Sequence, residues 1–225
     1  MSTIADIFAN YYQYFLRGTR TTIVVSLVTV FFGALIGCLI ALLRLSKYKP
    51  LSGFAKLYIT VIRGTPLLVQ LYIVYYQLNF IHYPSGSFLG VELARVIPCI
   101  IALSINSGAY VAEVIRAGIQ AVDFGQTEAA LSCGMTYPQC MWNIVLPQAV
   151  KNILPAIGNE FVTLIKESSL LSVLAISDLT MVGQQVRSVT YASFETFIFV
   201  ALVYLFLTSV TSGALQLLES RWKVK

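Results

Sequence analysis

The sequence predicts an all-α membrane protein with about five transmembrane helices. Hydrophobic residues make up 57% of the chain and charged residues only 11%, a balance typical of a membrane protein rather than a soluble core. Residues 21–43 and 196–218 are each free of charge. At about 1.5 Å per residue, either segment is long enough to cross the hydrocarbon of a bilayer. The 225 residues leave room for a single transmembrane domain, 1–225, and its connecting loops.

The spans are predicted from long apolar runs with turn residues between them. They occupy residues 21–43, 57–81, 96–112, 152–177 and 196–218. Aromatic and basic residues within 1–20 suit an interfacial segment. Gly33 and Gly37 permit a close contact with another helix. Arg63–Pro66 predicts a kink in the second span, and Asn106 in the third is expected to form a hydrogen bond between helices.

The distribution of charge predicts the orientation. Basic residues, which concentrate on the cytoplasmic side, follow the first and last spans: Arg44, Lys47, Lys49, Lys56, Arg221, Lys223 and Lys225. Segments 79–92 and 178–195 are predicted to be outward-facing loops. The N-terminus is therefore expected outside and the C-terminus inside a bacterial cytoplasmic membrane. The first charge-free run is expected to stay as a span, because the first ten residues lack the basic region of a signal peptide and the run is too long for the apolar part of one.

Several functions are excluded by what the sequence lacks. Its net charge of +5 is scattered over membrane edges, without the basic patch of a nucleic-acid-binding protein. The four cysteines have no CxxC spacing and His82 is the only histidine, so we predict no metal site. There is no HExxH or GxSxG motif, and we predict no catalytic residue and no enzyme. There is also no GxxxxGK[ST], so the chain is not expected to bind ATP itself.

Residues 123–147 form a polar segment, rich in turn residues, between apolar runs. Gly134 and Pro138 predict a short helix, a turn and a second short helix. Glu128–Pro147 contains no Lys or Arg, which argues against a helix lying on anionic lipid. A compact helical protrusion with apolar side chains fits a groove in a partner. The side chains expected at its surface are Met135, Trp142, Ile144 and Leu146.

Residues 123–147, which we call the coupling segment from here on, resemble the EAA loop of ABC-importer permeases. The matching positions, at fixed spacing, are Glu128, Ala129, Ala130, Gly134, Ile144, Leu146 and Pro147. The run RGTPLLVQLYIVYY, which begins at Arg63, is similar to the polar amino-acid uptake branch of that family. The resemblance extends over the chain from about Thr19 onward.

This resemblance implies a type I ABC importer permease. The coupling segment would be a cytoplasmic helix that docks into an ABC ATPase. The implied partners are a pair of ATPase subunits holding Mg-ATP, a second permease copy, identical or similar, and an extracytoplasmic amino-acid-binding protein, all arranged around the lipid bilayer.

The fourth span contains the charges that are most costly in a membrane. Glu160, Lys166 and Glu167 lie in this apolar segment, where each charge costs roughly 2.5–3.5 kcal/mol. Glu160 and Glu167 are about two helical turns apart, so they share one face at a spacing of about 10 Å. Two carboxylates on one helix face form a negatively charged surface, which fits a cationic ligand such as arginine, lysine or histidine. Alternatively, Lys166, Arg63 or Arg95 neutralises these acids.

The family resemblance adds detail to the site. In basic amino-acid permeases of this family, an acid after an asparagine, as in Asn159–Glu160, faces the central cavity, and an acid at the position of Glu167 takes part similarly. Substrate binding is therefore assigned to Asn159, Glu160 and Glu167. The alternative substrates are neutral or acidic polar amino acids, namely glutamine, glutamate or cystine. An ion-coupled carrier or channel would explain the buried acids but not the coupling segment.

Overall fold

The computed structural model describes residues 4–78, 81, 83 and 85–222, and these are mostly helical. The α-helices are α1 (Ile4–Leu45), α2 (Lys49–Arg63), α3 (Leu67–Leu78), α4 (Leu93–Gln120), α5 (Phe124–Ser132), α6 (Tyr137–Cys140), α7 (Leu146–Glu167), α8 (Leu179–Thr190) and α9 (Ser193–Trp222). A short antiparallel hairpin, β1 (Ser87–Phe88) and β2 (Val91–Glu92), precedes α4. The predictions for His82, Lys223 and Lys225 lie outside the described residues.

Three of the described helices are long and apolar enough to cross a membrane. They include Ala9–Leu45, Leu93–Gln120 and Ser193–Ser220, and the bent pair α2–α3 makes up to four. Helix α7 is not among them; it contains the charged residues Lys151, Glu160, Lys166 and Glu167. The predicted count of five spans is therefore not confirmed by helix length and composition.

Helix α1 is longer than predicted. Its 42 residues begin at Ile4 and extend over about 63 Å, so residues 4–20 are not a separate interfacial segment. The reason is packing: Ile7 and Phe15 are buried against α8 and α9. The first part of the chain therefore belongs to the helical core.

The second predicted span is two helices. A bend of 107° separates α2 from α3, where Pro66 has no N–H to continue the helix. Gln70 bridges the break: its Nε2 donates to the carbonyl oxygens of Ile62 (2.7 Å) and Thr65 (3.1 Å). Its Oε1 accepts from Asn106 Nδ2 of α4 at 2.9 Å. The predicted kink and the predicted interhelical bond of Asn106 are both confirmed, but 57–81 is not one helix.

Helices α1 and α4 pack closely at the glycine pair of α1. A Cβ added to Gly33 would lie 2.7 Å from Ser107 Oγ, and one added to Gly37 would lie 2.6 Å from Val111 Cβ. Residue numbers increase in the same direction on both helices along this contact, from Gly33 and Ser107 to Gly37 and Val111. The two helices are therefore parallel. The close approach expected from Gly33 and Gly37 is confirmed.

Valine at Gly37 is expected to lower the melting temperature of the purified protein in detergent. The added side chain must displace Val111, and overpacking of this kind costs about 1–3 kcal/mol. The matched control is Gly213→Val in α9, where an added Cβ meets nothing within 4 Å. Equal melting temperatures for the two variants, measured by thermal unfolding, would contradict a tight α1–α4 contact.

The predicted fourth span, 152–177, has different bounds. Helix α7 begins at Leu146 and passes through Pro155 without a break to Glu167, and a 3₁₀ helix follows from Ser168 to Leu174. Ala175, at φ +55°, then ends the helical run. The apolar character of Leu170 to Ile176 therefore reflects burial in the protein core, not a continuation of one straight helix.

Segment 178–195, predicted to be an outward-facing loop, is not a loop, because it contains helix α8. Asp178 caps the helix by accepting from the N–H groups of Thr180 (3.0 Å) and Met181 (2.9 Å). An apolar stripe at helical spacing packs one face of α8 into the core. The buried residues of this face are Leu179, Val182, Gly183 and Val186.

Candidate functional site

The coupling segment begins as the sequence predicts, with a helix and a turn. Asp123 Oδ1 caps α5 by accepting from Gly125 N–H at 2.7 Å. Gly134 adopts φ +83°, a conformation that glycine adopts without strain. Gln139 then accepts from Thr136 N–H at 2.8 Å and caps the start of α6. The helix–turn–helix arrangement is confirmed.

The second helix of this segment is not short. Helix α6 passes into a π-helical turn, Met141–Val145, which continues directly into α7. At the end of this turn, Leu146 N–H donates to Met141 O, and Pro147 lies in the first turn of α7. The coupling segment and the two acids of α7 therefore belong to one continuous helical run.

The coupling segment has its own small core and an exposed aromatic surface. Ala130, Cys140 and Val145 are buried, and Met135 and Ile144 pack against them. Met135 and Ile144, which were predicted at the surface, are therefore half-buried. Trp142 is 74% exposed and Phe124 is 71% exposed. Tyr137 is also exposed, and the ammonium of Lys47 lies 6.0 Å from the centre of its ring.

The residues assigned to ATPase coupling differ in how exposed they are. Glu128, Ala129, Gly134 and Pro147 are exposed, Ile144 and Leu146 are half-buried, and Ala130 is buried. A cavity of about 440 Å³ lies beside them, between the end of α4 and the start of α5, with Tyr137 and Met141 on its other wall. The sequence reasoning missed Phe124 and Tyr137. The signal available in the sequence was their position: Phe124 follows the cap residue Asp123, and Tyr137 follows the turn that contains Gly134.

Glu160 and Glu167 are half-buried on α7. The Glu160 carboxylate lies beside the Ser107 hydroxyl of α4, a residue that sequence reasoning did not assign to the site. The charges of Glu160 and Glu167 interact. The two acids therefore lie near each other, as their spacing predicts.

The basic residues considered as partners of these acids lie elsewhere. Arg95 pairs with Glu92 at 3.3 Å, and the guanidinium of Arg63 lies 5.1 Å from the centre of the Tyr110 ring. Among the described residues, neither Glu160 nor Glu167 forms an ion pair, although the charge of Lys166 acts on Glu167. Neutralisation of the acids by Arg63 or Arg95 is therefore wrong for this chain.

Asn159 and Lys166 are exposed, unlike the two acids. The backbone carbonyl of Asn159 accepts from Thr163 Oγ1 at 3.1 Å. Since neighbouring helix positions differ by about 100°, the Asn159 side chain points away from the face of Glu160. The structure does not bring Asn159 to the pair of acids within the chain.

Known proteins match this chain over nearly its whole length. Residues 11–224 match the family described as binding-protein-dependent transport system inner membrane component. The chain is 37% identical over 210 residues to an arginine transport system permease protein of Bacillus subtilis, covering 93% of each protein. It is 40% identical over 208 residues to a putative glutamine transport system permease protein of Rickettsia felis, covering 92% of each.

Solved structures agree with these relatives. A crystal structure of an amino acid ABC transporter with histidines matches with a TM-score of 0.87 and 44% identity, covering 95% of this chain and 96% of that one. The MetNI methionine ABC transporter, in an inward-facing conformation, matches with a TM-score of 0.77 at 18% identity, which is a likeness of fold alone. The chain therefore belongs to the binding-protein-dependent transport system inner membrane component family, with the type I ABC permease fold, and is the permease subunit of an amino-acid ABC importer.

Proposed function

We propose that this permease transports cationic amino acids, arginine, lysine or histidine. The observation that supports this most directly is the pair Glu160 and Glu167, half-buried on α7 and without an ion pair in the described chain. A carboxylate within a membrane costs roughly 2.5–3.5 kcal/mol and is usually functional. A guanidinium or ammonium group offsets this cost with charge-assisted hydrogen bonds, and the substrate's α-amino group can meet the second acid.

A second candidate is a neutral polar amino acid such as glutamine. It is favoured by the relatives at 40% identity that are named for glutamine transport. The two candidates differ in what Glu160 does: it meets the substrate's side-chain charge in the first, and a neutral group or the α-amino group in the second.

The transport cycle follows from the coupling segment. The permease works with a second permease copy and two ATPase subunits that hold Mg-ATP, and a binding protein outside the membrane delivers the amino acid. The segment 123–147 docks into the ATPase on the cytoplasmic side of a bacterial inner membrane. Closure of the ATPase pair moves the coupling segments together and reorients five membrane-crossing segments, with the N-terminus outside and the C-terminus inside. The substrate shifts this equilibrium only by its different affinity for the two states.

Uptake into proteoliposomes tests the substrate. The permease, reconstituted with its ATPase and binding protein, is supplied with labelled arginine in the presence of unlabelled lysine, histidine or glutamine. We expect lysine and histidine to compete with arginine and glutamine not to compete. Competition by glutamine alone would support the second candidate, and uptake without added ATP would contradict an ATP-driven importer.

A further inference from the structure

A basic cavity lies between α1, α2 and α4, away from the acids of α7. Its volume is about 250 Å³, and it is lined by Arg44, Lys56, Ile59, Thr60, Arg63 and Glu113. Three cations and one acid therefore face a space large enough for a small anion. Neither the substrate site nor the coupling segment includes these residues.

The acid in this cavity pairs with a residue outside it and neutralises only part of the positive charge. Glu113 forms an ion pair with Arg116, one turn further along α4. Arg44, Lys56 and Arg63 form no ion pair with any residue that the structure describes. Arg44 contacts Ser52 at 3.4 Å and Arg63 lies over the ring of Tyr110. Both guanidinium groups therefore have a neighbour that positions them, and the single charge of Glu113, which also acts on Arg44 and Arg63 without an ion pair, offsets only part of the three positive charges.

The cavity also lies at the end of an apolar helix. Arg44 is in the last turn of α1, a helix that is long and apolar enough to cross a membrane. A lipid whose chains lie along the apolar part of α1 would therefore place its anionic headgroup at this end of the helix, where the cavity is. Basic pockets between membrane helices bind anionic lipid headgroups in this way.

We propose that the cavity between α1, α2 and α4 binds a phosphate group, supplied by an anionic phospholipid. The guanidinium groups of Arg44 and Arg63 donate to phosphate oxygens in a planar, paired geometry. Lys56, which is exposed at the rim, adds a third positive charge. The hydroxyl of Thr60 offers a further donor. The proposal is independent of which amino acid is transported.

Native mass spectrometry of the delipidated importer complex tests this. The probes are phosphatidylglycerol and phosphatidylcholine, which share a phosphate but differ in net charge. We expect phosphatidylglycerol to be retained over phosphatidylcholine, and Lys56→Gln to reduce its retention about fivefold, the typical effect of one basic residue near a membrane. Arg63→Gln is a second variant with the same expected direction. The matched control is Lys49→Gln, an exposed lysine of the same helix that does not line the cavity.

A second arm separates the two sources of phosphate. Inorganic phosphate is titrated against chloride at constant ionic strength, and the melting temperature is measured. If phosphate raises the melting temperature of the wild type but not of Lys56→Gln, while both lipids are retained equally, the site binds phosphate from solution and the lipid source is wrong. Without a response to either probe, or with no loss in Lys56→Gln and Arg63→Gln, or with an equal loss in Lys49→Gln, the proposal is overturned.

Discussion

Glutamine in place of Glu160 is expected to abolish arginine transport. The variant keeps the shape of the side chain beside Ser107 but removes the charge that meets the cationic substrate. Loss of one partner of a buried charge pair costs about 2–5 kcal/mol, so uptake at a limiting arginine concentration should fall at least about 30-fold. The measurements are uptake of labelled arginine and arginine-stimulated ATP hydrolysis in proteoliposomes.

Two further variants distinguish the role of this carboxylate from a general effect of charge. Glu92→Gln removes an exposed acid in the hairpin before α4, whose partner is Arg95, and should leave uptake unchanged. Glu167→Gln should lower uptake as well, because it removes the second carboxylate, which we propose meets the substrate's α-amino group. Unchanged arginine uptake by Glu160→Gln would remove the assignment of this residue to the substrate.

Alanine at Trp142 is expected to weaken binding of the ATPase subunit about 30-fold. The indole is 74% exposed on the coupling segment, and a large exposed aromatic residue at an interface commonly contributes 2 kcal/mol or more. Because Trp142 contributes nothing to the buried core of this segment, the permease itself should fold and melt as the wild type does. Co-purification and surface plasmon resonance with the isolated ATPase measure the loss.

The control for this variant is Tyr191→Ala. Tyr191 is 89% exposed and lies between α8 and α9, outside the coupling segment. It should bind the ATPase with wild-type affinity. If Trp142→Ala binds equally well, the exposed aromatic surface of the coupling segment is not the docking surface. A loss in Tyr191→Ala would mean that the effect comes from exposed aromatic residues in general.

The turn of the coupling segment was predictable from sequence, but its second helix was not. Gly134 needs a positive φ, and a glycine between two helix-forming stretches signals such a turn. Pro147 is unfavourable in the middle of a helical run, because its ring collides with the carbonyl four residues before it, that of Asn143. The structure opens this part of the helix into the wider π turn Met141–Val145, which accommodates the proline. Pattern reasoning has no signal for such a turn.

Helix α8 was missed although its signal was present. Asp178 is a favourable N-cap, and the apolar residues Leu179, Val182 and Val186 follow at helical spacing. The polar residues between them favoured the prediction of a loop instead. By contrast, the spacing of Glu160 and Glu167 predicted their proximity, since it depends only on the helical period. Their neighbour Ser107 depends on how α4 and α7 pack, which no local pattern determines.

The unbroken helical run from Tyr137 to Glu167 has a mechanical consequence. Trp142 and Glu160 are 18 residues apart along it, or about 27 Å at the rise of an α-helix. A rod of this length behaves as a lever: a tilt of about 10° around one end displaces the other by about 5 Å. That displacement is close to the size of an amino-acid side chain, so a small rotation at the Trp142 end is sufficient to move the Glu160 carboxylate by the distance that the proposed release of substrate requires.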